Sequence, residues 1–214
     1  MHTHKDIDRE KMTPKQVLDI LISGNQRFIN NAKYDYDLTK AREIIKEKQH
    51  PIAAVLGCSD SRTTLELIFN QSLGDIFSVR LAGNIASKQA IGSLEFSSKY
   101  LGSKIIVVMG HSNCGAIKAA CDQYEGGNIG EVISFINPAV NAETSILEPN
   151  RNSNNNEFVE KVCFLNVQKQ IETIVSNSEI ISDLLKQQKI GIVGCVYNLA
   201  SGLVEFDAKN FIFS

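Results

Sequence analysis

The sequence has no excess of positive charge and no long apolar run. Its 22 lysines and arginines are set against 24 aspartates and glutamates, for a formal net charge of −2. With no basic stripe, that balance excludes a nucleic-acid binder driven by bulk positive charge. The longest apolar stretches, at 52–57 (IAAVLG) and 105–110 (IIVVMG), fall far short of the roughly 20 residues needed to cross a bilayer. The opening MHTHKDIDREKMTPK is polar and lacks the hydrophobic core of a secretory signal. The expectation is a cytoplasmic protein with neither a membrane nor a nucleic acid as partner. The five cysteines, Cys58, Cys114, Cys121, Cys163 and Cys195, are odd in number, which does not suit a disulfide framework. Metal ligation, nucleophilic chemistry and buried packing remain for them.

What is present is ordinary for a globular chain. Hydrophobic residues make up 43% and charged residues 21% of 214 residues, close to the soluble average and enough for a core without staples. One domain over 1–214 is expected, with a helical arm over 1–50 and an α/β core over 51–214. Thr13-Pro14 suits a helix start, and Val17, Leu18, Leu21, Ile22 and Phe28 then fall near one face, with Gly24 as a weak point. A second short helix is expected over 40–49, before Pro51.

From residue 52 the pattern alternates. Strands are expected over 52–57, 75–80, 104–109 and 190–196, and a fifth over 203–206. Helical segments are expected near 65–69, over 89–101 with Ile91, Leu94, Phe96 and Leu101 inward, and over 114–124, 129–135, 157–176 and 180–187. The run at 150–156 (NRNSNNN) reads as a surface loop. The alternation predicts an α/β fold: a mostly parallel sheet of four to five strands flanked by helices, the 104–109 run being continuous enough to be covered on both faces.

Two short stretches follow predicted strands: Cys58-Ser59-Asp60-Ser61-Arg62 and His111-Ser112-Asn113-Cys114-Gly115. Sites in open α/β sheets lie beyond the carboxyl ends of the strands, so both stretches belong on one sheet edge. His111 and Cys114 are three apart at a helix entry and can face one point. With Cys58 they make one imidazole and two thiolates, a set zinc accepts in tetrahedral geometry, and three protein ligands leave the open position typical of catalytic zinc. Packing is the plain alternative for each cysteine alone. Arg62 can pair with Asp60, lowering the Asp60 pKa and holding it as a hydrogen-bond acceptor; a simple structural ion pair is the alternative. Gly57, Gly83, Gly110 and Gly115 flank the motifs, as in a pocket for a small substrate, though glycines also serve turns.

These residues resemble the β-class carbonic anhydrases of bacterial type. CSDSR and HSNCG carry the likeness, together with Phe69-Asn70-Gln71, Leu73-Gly74-Asp75-Ile76-Phe77, Val79-Arg80, Ala82-Gly83-Asn84, Gly92-Ser93-Leu94-Glu95-Phe96 and Gly194-Cys195-Val196-Tyr197. The resemblance implies one zinc per chain on Cys58, His111 and Cys114, and Asp60 and Arg62 as a catalytic pair. It places Gln71 on a residue that points into the site across a dimer interface, where it can donate to a substrate oxygen. It implies a homodimer or homotetramer whose N-terminal helices wrap a neighbour, and a closed form in which Asp60 itself ligates the metal. Arg80 and Tyr197 fall on two of three positions of a bicarbonate pocket, but the third is Val55 and the chain has no tryptophan. Thr63-Thr64 departs from the usual apolar residue and proline, from which altered pocket polarity at most is expected, and no loss of activity.

The implied reaction is reversible hydration of carbon dioxide to bicarbonate and a proton, by attack of zinc-held hydroxide. His50, His2 and His4 are the proton carriers that chemistry offers. Three other readings stay open: a zinc hydrolase of carbon disulfide or carbonyl sulfide, a cysteine-nucleophile enzyme using Cys58 or Cys114 with His111, and a non-catalytic zinc-stabilised oligomer.

Overall fold

A computed structural model describes residues 9–207. Helix α1 (Pro14–Ile29) opens on a capping box: the Thr13 hydroxyl accepts from the Gln16 amide and the Gln16 side chain accepts from the Thr13 amide, so two orphan donors are satisfied at once. Helix α2 (Leu38–Ile45) starts on Asp37, whose carboxylate caps Lys40 N–H, and stops four residues short of the expected end. No residue of α2 is buried, so nothing draws the polar stretch after it into a further turn.

The core then alternates β1 (Ala53–Gly57), α3 (Leu65–Ile68), β2 (Ile76–Arg80), α4 (Lys88–Phe96), β3 (Ile105–His111), α5 (Gly115–Cys121), α6 (Gly127–Ser134), α7 (Asn137–Ala142), α8 (Asn156–Asn177), α9 (Glu179–Lys186), β4 (Gly191–Tyr197) and β5 (Val204–Phe206). The five strands form one sheet in the order β2-β1-β3-β4-β5, parallel except for β5. Successive side chains of a strand point to opposite faces, and the packing follows: Ala53, Val55, Ile105, Val107, Met109, Val193 and Cys195 meet α1 and α3 on one face. Ala54, Leu56, Ile106, Val108 and Ile192 meet α4, α8 and α9 on the other.

Two expectations need correction. Phe96 is 48% exposed rather than inward. Phe96 still belongs to α4 and stands about 200° around the helix from buried Leu94, so the ordinary helical period turns it outward, against Tyr100 and Phe77; the chain then continues as one π turn over Ser97–Leu101. Gly24 is more than a weak point in α1. A Cβ built on it would lie 1.8 Å from the carbonyl oxygen of Phe69, so the missing side chain lets the helix rest on the segment after α3. Gly24→Ala should therefore cost about 3 kcal/mol or more, the top of the usual overpacking range, because the obstacle is backbone. Urea unfolding tests this, and a loss below about 1 kcal/mol would show that the contact yields.

Candidate metal centre

The register brings the two motifs together. In the sheet Gly57 pairs with Met109, and β1 and β3 are parallel neighbours, so Cys58 leaves the sheet where His111 ends β3. Asn113 takes a left-handed φ of 55°, a conformation asparagine tolerates better than most residues. That turn reverses the chain so that Cys114 stands at the N-cap of α5. The ligand atoms of Cys58, His111 and Cys114 all lie within 4.8 Å of one another, and all three residues are buried. The two sulfurs are 3.9 Å apart.

The chemistry of the three donors fits a zinc ion. Thiolates about 2.3 Å from a tetrahedral zinc stand about 3.8 Å apart, close to the observed separation. His111 Nδ1 lies 3.0 Å from the carbonyl oxygen of Ser112. A carbonyl only accepts, so the proton belongs on Nδ1 and Nε2 is left with a lone pair. That Nε2 is buried and has no hydrogen-bond partner. An orphan of this kind is costly in a folded protein and is what a metal ligand looks like from the protein side. The Cys58 thiol is pulled well below its ordinary range, first by the hydrogen bond from Cys114 and against the cost of burial; the His111 ring and the amides of Asp60 and Gly83 add to the pull. Cys114 is pushed the other way because it holds the shared proton and is buried. One proton between two sulfurs is what a metal cation displaces on binding.

Asp60 and Arg62 are hydrogen-bonded to one another. Arg62 donates from its backbone N and Nε to Asp60 Oδ1, both at 2.9 Å, and from a terminal nitrogen to Oδ2 at 2.6 Å. The guanidinium, first of all, holds the Asp60 carboxyl far below the usual carboxylate range. Oδ2 also lies 3.9 Å from His111 Nε2, so the anion borders the three ligands. Gln71 is buried, but its amide donates to Phe69 O at 2.8 Å and its Oε1 has no partner; among the described residues it makes no hydrogen bond with the three-ligand group.

Several contacts at this edge were not visible in the residue types. Gly83 takes a positive φ of 68°, which turns its amide to Cys58 Sγ at 3.3 Å. Cys163 on α8 donates its thiol to the carbonyl of His111 at 3.3 Å, so it supports the strand end from behind; burial pushes that thiol up to about 12. Arg80 points into the Cys58–Asp60 turn, donating to the carbonyls of Cys58 and Asp60 at 2.9 and 2.6 Å. Val55 is wholly buried in the core. Thr63 is also wholly buried, so it does not alter the polarity of a pocket. Cys121 and Cys195 are buried packing thiols. His50 is exposed, and His2 and His4 lie outside the described residues. No described helix is long and apolar enough to cross a membrane.

Comparison with known proteins points to one family. A family model described as carbonic anhydrase matches residues 53–204. Carbonic anhydrase 2 of Mycobacterium tuberculosis is 32% identical over 190 residues, spanning 85% of this chain and 87% of that protein. The Coccomyxa β-carbonic anhydrase, solved in complex with acetazolamide, superposes with a TM-score of 0.71 at 25% identity, covering 88% of this chain and 85% of the other. One of two tetrameric β-carbonic anhydrases from Sordaria macrospora shares the fold, with a TM-score of 0.67 at 22% identity over 90% of this chain and 98% of that one.

Proposed function

Because the chain belongs to the carbonic anhydrase family, in its β class, we propose that Cys58, His111 and Cys114 hold one zinc ion and that Asp60 and Arg62 act beside it in the reversible hydration of carbon dioxide. The buried, partnerless Nε2 of His111 beside two sulfurs 3.9 Å apart carries this assignment. A zinc ion bound there supplies a Lewis acid that brings the ionisation of a water toward neutral pH. Asp60 Oδ2 then accepts a hydrogen bond from the attacking water, so that a lone pair faces the carbon of the substrate. Arg62 fixes the carboxylate for this task with three donors and keeps it anionic. Burial of all three ligands limits bulk water at the reacting atoms, which strengthens each of these interactions.

We also assign the chain to a homo-oligomer in the cytoplasm. Support for assembly comes from exposed apolar residues on and near the arm, Leu38, Ile44, Leu67 and Leu73, and from the tetrameric relatives of the same fold. Gln71 is then read as a donor to a substrate oxygen in a neighbouring subunit.

The test is stopped-flow carbon dioxide hydration between pH 6.5 and 9 on protein of measured zinc content. Activity should rise in proportion to zinc up to one ion per chain and vanish on chelation. Full zinc with no hydration at any pH would overturn the assignment, and turnover of carbon disulfide or carbonyl sulfide in parallel assays would redirect it.

A further inference from the structure

Helix α8 carries two buried amide side chains, Asn166 and Gln170, that the reaction above does not use. Four residues apart, they share one helix face, and backbone groups fix which way each points. The Ala86 amide donates to Gln170 Oε1 at 2.7 Å, so Gln170 Nε2 donates to Phe135 O at 3.1 Å and to Asn166 Oδ1 at 2.9 Å. Asn166 Nδ2 is thereby turned to the carbonyl of Gly83, at 3.0 Å, and among the described residues no other group donates to that carbonyl. On its other side Gly83 gives its amide to Cys58 Sγ at 3.3 Å. The position requires glycine: a Cβ would stand 2.6 Å from Ile136 Cδ1, and φ is 68°. Glycine also leaves the backbone there free to turn. Leu81 is tied to β1 through Gly57 O, and Ala86 to Gln170. Between these ties the turn closes on itself, Asn84 N–H donating to Leu81 O, and Asn166 is its anchor from outside.

We propose that Asn166 is a positioning residue: by holding the Gly83 carbonyl it aims the Gly83 amide at the sulfur of Cys58. The inference rests on the zinc assignment. An N–H donor on a thiolate takes up part of its negative charge, so the sulfur gives less charge to a bound cation and leaves it the stronger Lewis acid. Removing the Asn166 amide leaves the buried Gly83 carbonyl unpaired, which is costly, and the peptide turns to find another donor. The Gly83 amide then leaves the sulfur. The Asp60 amide, which reaches the same sulfur at 3.4 Å from within the Cys58 turn, stays. Groups that act through a metal ligand typically change metal affinity or activity by about 10- to 100-fold.

The experiment loads the protein with an NMR-active cadmium isotope in place of zinc and reads scalar coupling from the metal, through the sulfur, to the amide protons of Gly83 and Asp60. The kcat, KM and melting temperature of the zinc form are measured alongside. The wild type should show both couplings. Asn166→Leu, close in shape but without a donor, is expected to lose the Gly83 coupling, keep the Asp60 coupling and lose about tenfold in kcat with KM little changed. Asn166→Ala, with room for a water to replace the donor, should fall between. Asn25→Leu removes a buried asparagine that holds the carbonyls of Ile68 and Gly202 on the other face of the sheet; it controls for general loss of stability and should keep both couplings. The role is refuted if the wild type shows no Gly83 coupling, if Asn166→Leu retains that coupling or an unchanged kcat, or if both couplings vanish together. It is refuted equally if Asn25→Leu loses the Gly83 coupling at an equal fall in melting temperature, or if neither Asn166 variant folds, which would make Asn166 a residue of the fold alone. Wild-type protein that binds neither zinc nor cadmium refutes the metal assignment itself, and this inference with it.

Discussion

His111→Ala is expected to leave the chain without tightly held zinc and to lower carbon dioxide hydration by at least about a thousandfold. Apparent zinc binding energies of roughly 10–16 kcal/mol in small protein sites are shared among few ligands, so one ligand in three is worth several kcal/mol. His111 is the sharpest choice because its Nε2 has no other role: it is buried and bonds to nothing, while its Nδ1 is spent on Ser112 O. Cys58→Ser and Cys114→Ser should behave alike, since a hydroxyl neither ionises near neutral pH nor suits zinc as a thiolate does. Cys121→Ala and Cys195→Ala should keep their zinc, because both thiols sit in the apolar packing. Metal analysis, with circular dichroism to show that the fold survives, separates these cases. A His111→Ala chain that keeps a full complement of zinc and its activity would mean that the metal sits elsewhere.

The centre was legible in the sequence because it depends on topology more than on detail. Cysteine after one β-branched run and histidine at the end of another had to meet once β1 and β3 were parallel neighbours, and the three-residue step from His111 to Cys114 needed only a tight turn, which Asn113 provides. The Asp60–Arg62 pair was legible for the same reason, both partners lying in one short loop. Thr63, Gly83 and Arg80 were not legible in this sense. Their contacts are with backbone carbonyls and a sulfur, and such contacts depend on where the chain turns rather than on which residue types stand near each other. Phe96 misled because its apolar side chain was read as inward, although the regular period of α4 puts it on the side away from buried Ile91 and Leu94. Helix α7 was missed although Asn137-Pro138 marks its start, proline being favoured in the first turn of a helix. Gln71 depends on a neighbouring subunit for its assigned role, which one chain cannot supply.

Asp60→Asn is the second large effect, an expected loss of about a hundredfold in kcat, the low end for removing a positioned proton acceptor. The amide keeps the shape, and its oxygen can still receive from Arg62, but the anion is gone. The pH dependence separates this role from others. A carboxyl whose folded pKa is depressed contributes stability above its unfolded value of about 4, and that contribution is lost as pH falls through the folded value. Arg62 holds Asp60 far below that range, so Asp60 is ionised throughout pH 6.5 to 9. Any rise of activity within that window must come from another ionisation. The Asp60→Asn profile should therefore keep the wild-type midpoint and be scaled down at every pH. Arg62→Ala should give a smaller loss with the same midpoint, because the carboxylate then stays charged, its unfolded value being well below the window, and keeps the backbone donor of residue 62 but loses the two guanidinium donors. A midpoint that moves in Asp60→Asn would show that Asp60 is itself the titrating group, and an unchanged kcat would reduce the pair to a structural ion pair at the rim of the site.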